Sequence, residues 1–185
     1  MSMRRAPPST TVFLDRDGVI NKRPDVGKYV TSARQFHFIP GSVDAIRLLN
    51  EAGARVIVVT NQRGVALGVM TMDQLQEVHD KMLAVLRAAG ARLDAVYCCP
   101  HAKDSCDCRK PGIGLFLQAK AQFPDIVFKE SYVVGDSERD MEAGRRLGAR
   151  LVRIGPATAP DEASAPSLIE AVTEHVQALR PKSAN

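Results

Sequence analysis

The 185-residue chain contains no tryptophan, and aromatic residues make up only 5% of it. Few flat side chains remain on which successive bases could stack, which argues against single-stranded nucleic acid as a ligand. No apolar run approaches the roughly 18 residues of a membrane span, and the N-terminal stretch lacks the apolar core of a signal peptide. The expectation is a soluble, cytoplasmic protein with neither a membrane nor a nucleic-acid partner. Glycine (13) and proline (11) show no low-complexity bias, and 45% hydrophobic with 25% charged residues excludes disorder as the main state. A strong excess of one charge is also missing: Lys+Arg 25 minus Asp+Glu 21 leaves +4, which suits a small anionic ligand as well as a weakly basic surface. Arg4 and Arg5 in the N-terminal arm read as solvated. Cysteine is confined to Cys98, Cys99, Cys106 and Cys108.

What is present alternates. Thr11 to Leu14 is a short buried-strand pattern that runs into the acidic turn Asp15-Arg16-Asp17-Gly18. Ser42, a good N-cap, precedes Val43, Ile46 and Leu49 at helical spacing, and Gly53 ends that helix. Val56 to Val59 is a β-branched run of the kind buried on both faces of a parallel sheet. It ends in the polar turn Thr60-Asn61-Gln62. A long amphipathic helix (Met72 to Leu86), a strand (Ala95 to Cys99), a helix near Leu115 to Ala121, a strand (Tyr132 to Val134), a helix near Met141 to Leu147 and a fifth strand (Leu151 to Ile154) follow. Residues 155–166 read as an Ala/Pro-rich linker, and Leu168 to Leu179 as a last helix. Strand-helix alternation with short connections predicts a three-layer α/β fold with a mostly parallel five-stranded sheet. The expectation is a single domain, 1–185, with its core at 11–155 and a C-terminal helix at 166–180, and a monomer. Ligands of such sheets bind beyond the carboxyl ends of the strands, where Asp15, Asp17, Thr60, Asn61, Asp136 and the cysteine loop collect.

Asp15 and Asp17 leave a strand on one side of the backbone. Two carboxylates so close repel unless a cation or a shared proton intervenes, and Mg²⁺ is the natural hard partner, with the acidic turn Asp136 to Asp140 supplying further oxygens. The hydroxyl of Thr60 and the turn's free N–H groups suit a phosphate oxygen, and Lys110 suits charge on a transferring phosphoryl group. In the cysteine loop, Cys99-x-His101 and Cys106-x-Cys108 form a Cys₃His set suited to tetrahedral Zn²⁺ with no open position, hence structural. Disulfides or free thiols are the alternatives, and without a secretion signal zinc is the expectation. Cys98, pointing opposite to Cys99, is expected to pack in the core.

Phe13 to Asn21, Thr60-Asn61-Gln62, Arg109-Lys110-Pro111 and Gly135 to Asp140 resemble, in order, the four motifs of the haloacid dehalogenase superfamily over residues 11–155. The zinc loop directly before Arg109 is similar to one subgroup of it, the histidinol-phosphatase and heptose-bisphosphate 7-phosphatase branch, and the Thr60 to Gly68 stretch with Cys-Pro-His is closer to the heptose enzymes. The resemblance implies a Rossmann-like fold without a large cap domain. It implies Asp15 as nucleophile, Asp17 as acid and base, and Mg²⁺ on Asp15, Asp136 and the Asp17 carbonyl. Thr60, Asn61 and Lys110 would hold the phosphoryl group, Gln62, Arg63 and Arg109 would bind substrate, and Asp140 would orient Lys110 or the metal shell. Leu67 stands where the subgroup often has arginine, and the spacer after His101 is short. The function so implied is removal of the C7 phosphate of a heptose bisphosphate, a small phosphorylated sugar. Histidinol phosphate, a related sugar phosphate or a receiver-like phospho-accepting domain are the alternatives.

Overall fold

The structure, a computed structural model, describes residues 10–176. Arg4, Arg5 and Leu179 lie outside the described residues. The strands are β1 (Thr11–Leu14), β2 (Arg55–Asn61), β3 (Ala95–Cys99), β4 (Tyr132–Gly135), β5 (Arg150–Ile154) and β6 (Glu162–Ala165), and the helices are α1 (Ser42–Glu51), α2 (Met72–Ala88), α3 (Gly114–Gln122), α4 (Glu138–Leu147) and α5 (Leu168–Ala171). The sheet has six strands in the order β3-β2-β1-β4-β5-β6, and every neighbouring pair is parallel.

Side-chain alternation divides the core between the two faces of the sheet. Val12, Leu14, Val56 and Val58 face one way, against Ile46 and Leu49 of α1, Val78, Met82 and Leu86 of α2, and Leu168. Phe13, Ile57 and Val59 face the other, against Leu115, Phe116 and Ala119 of α3 and Met141 and Ala143 of α4. Phe13 and Phe116 meet edge to face with centroids 5.0 Å apart. Helix α2 starts at a capping box, with Gln74 N donating to Thr71 Oγ1 and Thr71 N to Gln74 Oε1.

Two sequence expectations need correction. The sheet has six strands, not five: Glu162–Ala165, inside the expected linker, pairs with β5 in register Val152↔Ala163. Its alanines and serine carry little apolar signal, and it is held by charge. Arg153 Nε donates to Glu162 Oε2 at 2.6 Å and its Nη2 to Glu138 Oε2 at 2.5 Å, with the Glu162 side chain fully enclosed. The helix α1 begins after Gly41, not at a Ser42 cap. Gly41 has φ 81, and a Cβ there would lie 2.8 Å from the Ile169 side chain, while Ser42 is buried and donates its hydroxyl to Ile20 O at 2.9 Å. The last helix, expected over 166–180, is α5 continued by π-helical turns over Val172–Val176, with Leu168, Ala171 and Val172 buried in the same core as α1; residues 177–180 lie outside the described residues.

The strand order reverses between β1 and β4, so a crevice opens beyond their carboxyl ends. Leu14 is level with both Val58 and Val134, and β2 runs on to Asn61 beside Cys99. That register puts Asp15, Thr60, Asn61, Cys99 and Asp136 on one edge. Removing one member of a buried ion pair leaves the other uncompensated, so Glu162→Ala is expected to lower stability by about 3 kcal/mol in urea unfolding at neutral pH. Hydrogen bonding from Arg153, with burial opposing, holds the Glu162 carboxyl down at about 2 against an ordinary 4.5. The native protein's advantage over that variant is therefore present above about 4.5 and shrinks as pH falls toward 2.

Candidate active site

The turn after β1 closes on itself: Ile20 N and Asn21 N donate to Arg16 O, and Gly18 N to Asn21 O. Gly18, at φ 91, leaves room that a Cβ would fill 1.8 Å from Asp136 Oδ2, so only glycine lets the two acidic turns approach. Asp15, Asp136 and Asp140 each place a carboxylate oxygen within 4.8 Å of the others. Lys110, buried, answers them, with Nζ 3.0 Å from Asp15 Oδ1 and 2.6 Å from Asp140 Oδ1 and donating to Val59 O at 2.5 Å. Asp140 Oδ2 accepts from Ser137 N (3.1 Å) and Oγ (2.5 Å) at the start of α4.

The charges do not balance. Burial raises the Asp15 carboxyl to about 6, with Asp140 and Asp17 adding to it and Lys110 opposing. Burial, then the Asp15 charge, raises Asp136 to about 7, although Arg23 Nη2 lies 2.6 Å from its Oδ1. Asp140 goes the other way: burial opposes, but Lys110 and Ser137 hold it below the usual carboxylate range. Crowded oxygens left this short of positive charge are what a hard divalent cation relieves, so Asp15 and Asp136 fit that group.

Asp17 is turned to a different set of partners. Its Oδ1 accepts from Arg16 Nη2 (3.0 Å) and Asn21 Nδ2 (2.8 Å), and its Oδ2 from Arg16 Nη2 (3.0 Å) and Gln62 Nε2 (2.9 Å). Burial pushes this carboxyl up, but Arg16 and the two amides hold it below the ordinary value. Gln62 Nε2 also donates to Thr60 Oγ1 at 2.9 Å, so the Thr60 hydroxyl is free to donate outward. Asn61 grips the main chain of Lys110 reciprocally, Nδ2 to Lys110 O at 3.1 Å and Lys110 N to Oδ1 at 3.0 Å.

Above these groups lies a cavity of about 480 Å³, lined by Asp15, Asp17, Thr60, Asn61 and Lys110 below, by residues 23–30 on one side and by Arg63, Arg109 and Arg139 on another. Arg63 Nε and Arg109 Nη1 are buried and have no hydrogen-bond partner among the described residues. The sequence assigns Gln62 to substrate and gives Asn61 to the phosphoryl group. In the structure Gln62 is outside the cavity lining, committed to Asp17, Thr60 and Arg16, and the Asn61 amide is committed to Lys110.

Cys99 Sγ, Cys106 Sγ, Cys108 Sγ and His101 Nδ1 converge, with contacts of 3.5 Å (Cys99 to Cys106), 3.1 Å (Cys106 to Cys108), 3.6 Å (Cys99 to His101) and 3.2 Å (His101 to Cys108). No disulfide joins them. A tetrahedron built on Zn–S bonds of about 2.3 Å has edges of about 3.8 Å, so the set needs only a slight expansion to hold zinc. Burial opposes, but hydrogen bonds from Cys108, Cys99 and main-chain N–H groups bring the Cys106 thiol down to about 6, while burial raises Cys99 and Cys108. Cys98 is not in the core as expected. It is half-buried, because β3 is an edge strand with only β2 beside it.

Four participants escape sequence reasoning. Arg23 sits in polar, aperiodic surroundings that give no signal, and Arg139 lies inside the Gly135 to Asp140 motif, at the start of α4, without a role assigned to it. Arg16 could have been found by alternation, since if Asp15 and Asp17 share one side the residue between them faces the other, and His79 by helical spacing, four residues after Leu75 and three before Met82 on the buried face of α2.

A parallel sheet of this order, with two acidic turns facing a buried lysine across the switch point, is the haloacid dehalogenase-type fold of phosphoryl-transfer enzymes. Residues 11–164 match the family model described as polynucleotide kinase 3 phosphatase. The D-glycero-beta-D-manno-heptose-1,7-bisphosphate 7-phosphatase of Yersinia pestis is 38% identical over 183 residues, 92% of this chain and 95% of that one. The alpha-specific counterpart in name from Mycobacterium tuberculosis (strain ATCC 25618 / H37Rv) is 37% identical, covering 89% of this chain and 90% of its own. Among solved structures, the D,D-heptose 1,7-bisphosphate phosphatase of B. bronchiseptica, complexed with magnesium and phosphate, superposes with a TM-score of 0.83 at 30% identity, over 91% of this chain and 99% of that one. The chain belongs to the heptose-bisphosphate phosphatase family of the haloacid dehalogenase superfamily. Among the described residues no helix is long and apolar enough to cross a membrane.

Metal analysis of the purified protein is expected to give one zinc per chain, lost in Cys108→Ser. Cobalt in its place is expected to show the strong thiolate-to-metal absorption of a tetrahedral sulfur site. A metal-free protein with an unchanged melting temperature and unchanged protease resistance of residues 99–109 would contradict the assignment.

Proposed function

We propose that this protein is a Mg²⁺-dependent phosphatase that removes the C7 phosphate of D-glycero-D-manno-heptose 1,7-bisphosphate, supplying nucleotide-activated heptose synthesis. The observation that carries this reading is a cavity with two separate cationic positions. One is Lys110 beside Asp15, and the other is formed by the unpartnered donors of Arg63 and Arg109. A substrate with one phosphate would satisfy only one of them. The names of the family's curated members support the same substrate.

The Asp15 carboxylate attacks phosphorus while the bond from phosphorus to the C7 oxygen breaks, leaving an aspartyl-phosphate on Asp15. Against burial, Arg16 keeps Asp17 ionised in the free protein, so Asp17 takes up a proton from solvent as the negatively charged substrate arrives. It gives that proton to the departing alkoxide, then takes one from the water that attacks phosphorus and frees inorganic phosphate and Asp15. Lys110 offsets charge on the transferring oxygens, and the outward-facing hydroxyl of Thr60 donates to one of them. Asp15 and Asp136, with the Asp17 carbonyl, would hold Mg²⁺. When bound, the ion supplies positive charge to the phosphoryl oxygens and keeps Asp15 ionised. Arg109 and Arg63 hold the second phosphate, and Arg109 is steadied by the zinc-held loop that precedes it. Zinc takes no part in the chemistry.

The test is phosphate release with Mg²⁺ from heptose 1,7-bisphosphate (both anomers), histidinol phosphate and an aryl phosphate in parallel. The bisphosphate is expected to have the highest kcat/KM, and Asp15→Asn to lose at least about 10³-fold in kcat, since no covalent step remains. A preference for histidinol phosphate would overturn the substrate, and an active Asp15→Asn would overturn the nucleophile.

A further inference from the structure

Arg16 is fully enclosed, with no exposed side-chain surface. Its guanidinium lies 6.0 Å from the centroid of the buried Phe36 ring and is walled from solvent on that side. Burying a cation this deeply carries a penalty of several kcal/mol unless each donor finds a partner. Its partners divide between Asp17 with Gln62 and His79 of α2. Nη2 reaches both oxygens of Asp17 and Gln62 Oε1 (3.2 Å), Nε reaches Asp17 Oδ1 (3.3 Å), and Nη1 meets His79 Nε2 at 3.2 Å. A guanidinium only donates, so His79 accepts on Nε2 and carries its proton on Nδ1. Burial, then the Arg16 charge, lowers the His79 pKa to about 4, consistent with that neutral ring.

Asp17 is thereby fixed from behind. An ionised carboxylate offers about four acceptor positions. Nη2 sends one of its two hydrogens to Gln62, so its contacts with the two Asp17 oxygens share the other; with the long Nε contact and Asn21 on Oδ1, and Gln62 on Oδ2, the side of the carboxylate that faces Arg16 is taken. What remains of the group faces the cavity, where its side chain keeps 21% of its surface. A turn residue with a free χ1 and χ2 could not hold one direction. A fork anchored at its far end to a helix across the core can.

We propose that Arg16 is a positioning residue that aims Asp17 at the leaving-group oxygen, and that His79 of α2 sets the direction of Arg16. The inference rests on the phosphatase reading above. Placing a reacting group within a fraction of an ångström is worth on the order of a hundredfold in rate, so the effect should be confined to the steps in which Asp17 moves a proton: departure of a poor leaving group, and activation of water. A sugar alkoxide needs a proton as it leaves. An aryl oxide with an electron-withdrawing substituent does not.

Two substrates therefore separate aim from general damage: a sugar phosphate, and 4-nitrophenyl phosphate followed in the first turnover, where the burst of aryl alcohol reports formation of the aspartyl-phosphate alone. Arg16→Met is expected to lower kcat on the sugar phosphate about 100-fold with KM changed less than about threefold. Its aryl burst rate is expected to stay within about threefold of the native value, while later aryl turnovers slow because Asp17 must still activate water. Should Arg16→Met fail to fold, His79→Leu reads the same device from its far end. About a three- to tenfold loss is expected on the sugar phosphate with an unchanged aryl burst, and His79→Gln, which keeps an acceptor, is expected to restore it. Equal losses on the sugar phosphate and on the aryl burst, or no loss in either His79 variant, would overturn the proposal. Failure of the phosphatase reading itself would look different, because the native protein would then release product from neither substrate.

Discussion

Lys110 places a charged nitrogen where solvent barely reaches, 3.0 Å from Asp15 and 2.6 Å from Asp140, and anchors it on the carbonyl of Val59. Without it the carboxyl edge of the sheet would gather Asp15, Asp136 and Asp140 with Arg23, on the outer side, as the one cation paired with any of them among the described residues. With it the compensation is deliberately incomplete. Burial alone would pull the Lys110 pKa down, yet Asp140 and Asp15 keep it above its ordinary value, so this amine stays an ammonium. Asp15 and Asp136 remain raised, and the room for a further positive charge is built into the fold.

The placement of Lys110 in turn depends on the cysteine loop. The residue follows Cys106 and Cys108 directly, and Asn61 at the end of β2 ties its main chain to the sheet through two reciprocal bonds. Cys99 ends β3 alongside Asn61. The loop thus leaves the sheet beside Asn61 and returns to it at Asn61, with the four metal-ligating side chains between. A cluster whose thiols and imidazole already lie 3.1 to 3.6 Å apart needs no role in catalysis to matter for it. It fixes where Arg109 and Lys110 stand.

Much of this was legible in the residues because the signals were local. β-branched runs marked the strands, paired acids followed two of them, and the Cys-x-His and Cys-x-Cys spacing marked the metal cluster. What was not legible depends on tertiary surroundings. Glu162–Ala165 has almost no apolar pattern and becomes a strand through the Arg153 and Glu138 charges. Ser42 looks like a helix cap, but Gly41 takes that place because Ile169 packs against it. Alternation turns Arg16 away from its acidic neighbours, but His79, Gln62 and Phe36, which enclose it, arrive from distant segments. Arg23 reaches the cavity from a segment with no periodicity, and Arg139 from the exposed side of the first turn of α4.

The central claim is that Asp15 itself takes the phosphoryl group before water does. Phosphorus made chiral with three oxygen isotopes records how many displacements occur. Two in-line steps, one by Asp15 and one by water on the aspartyl-phosphate, return the original configuration when the phosphoryl group is captured by an alcohol acceptor in place of water. The account predicts retention. Inversion would mean a single direct displacement, and would contradict the role assigned to Asp15.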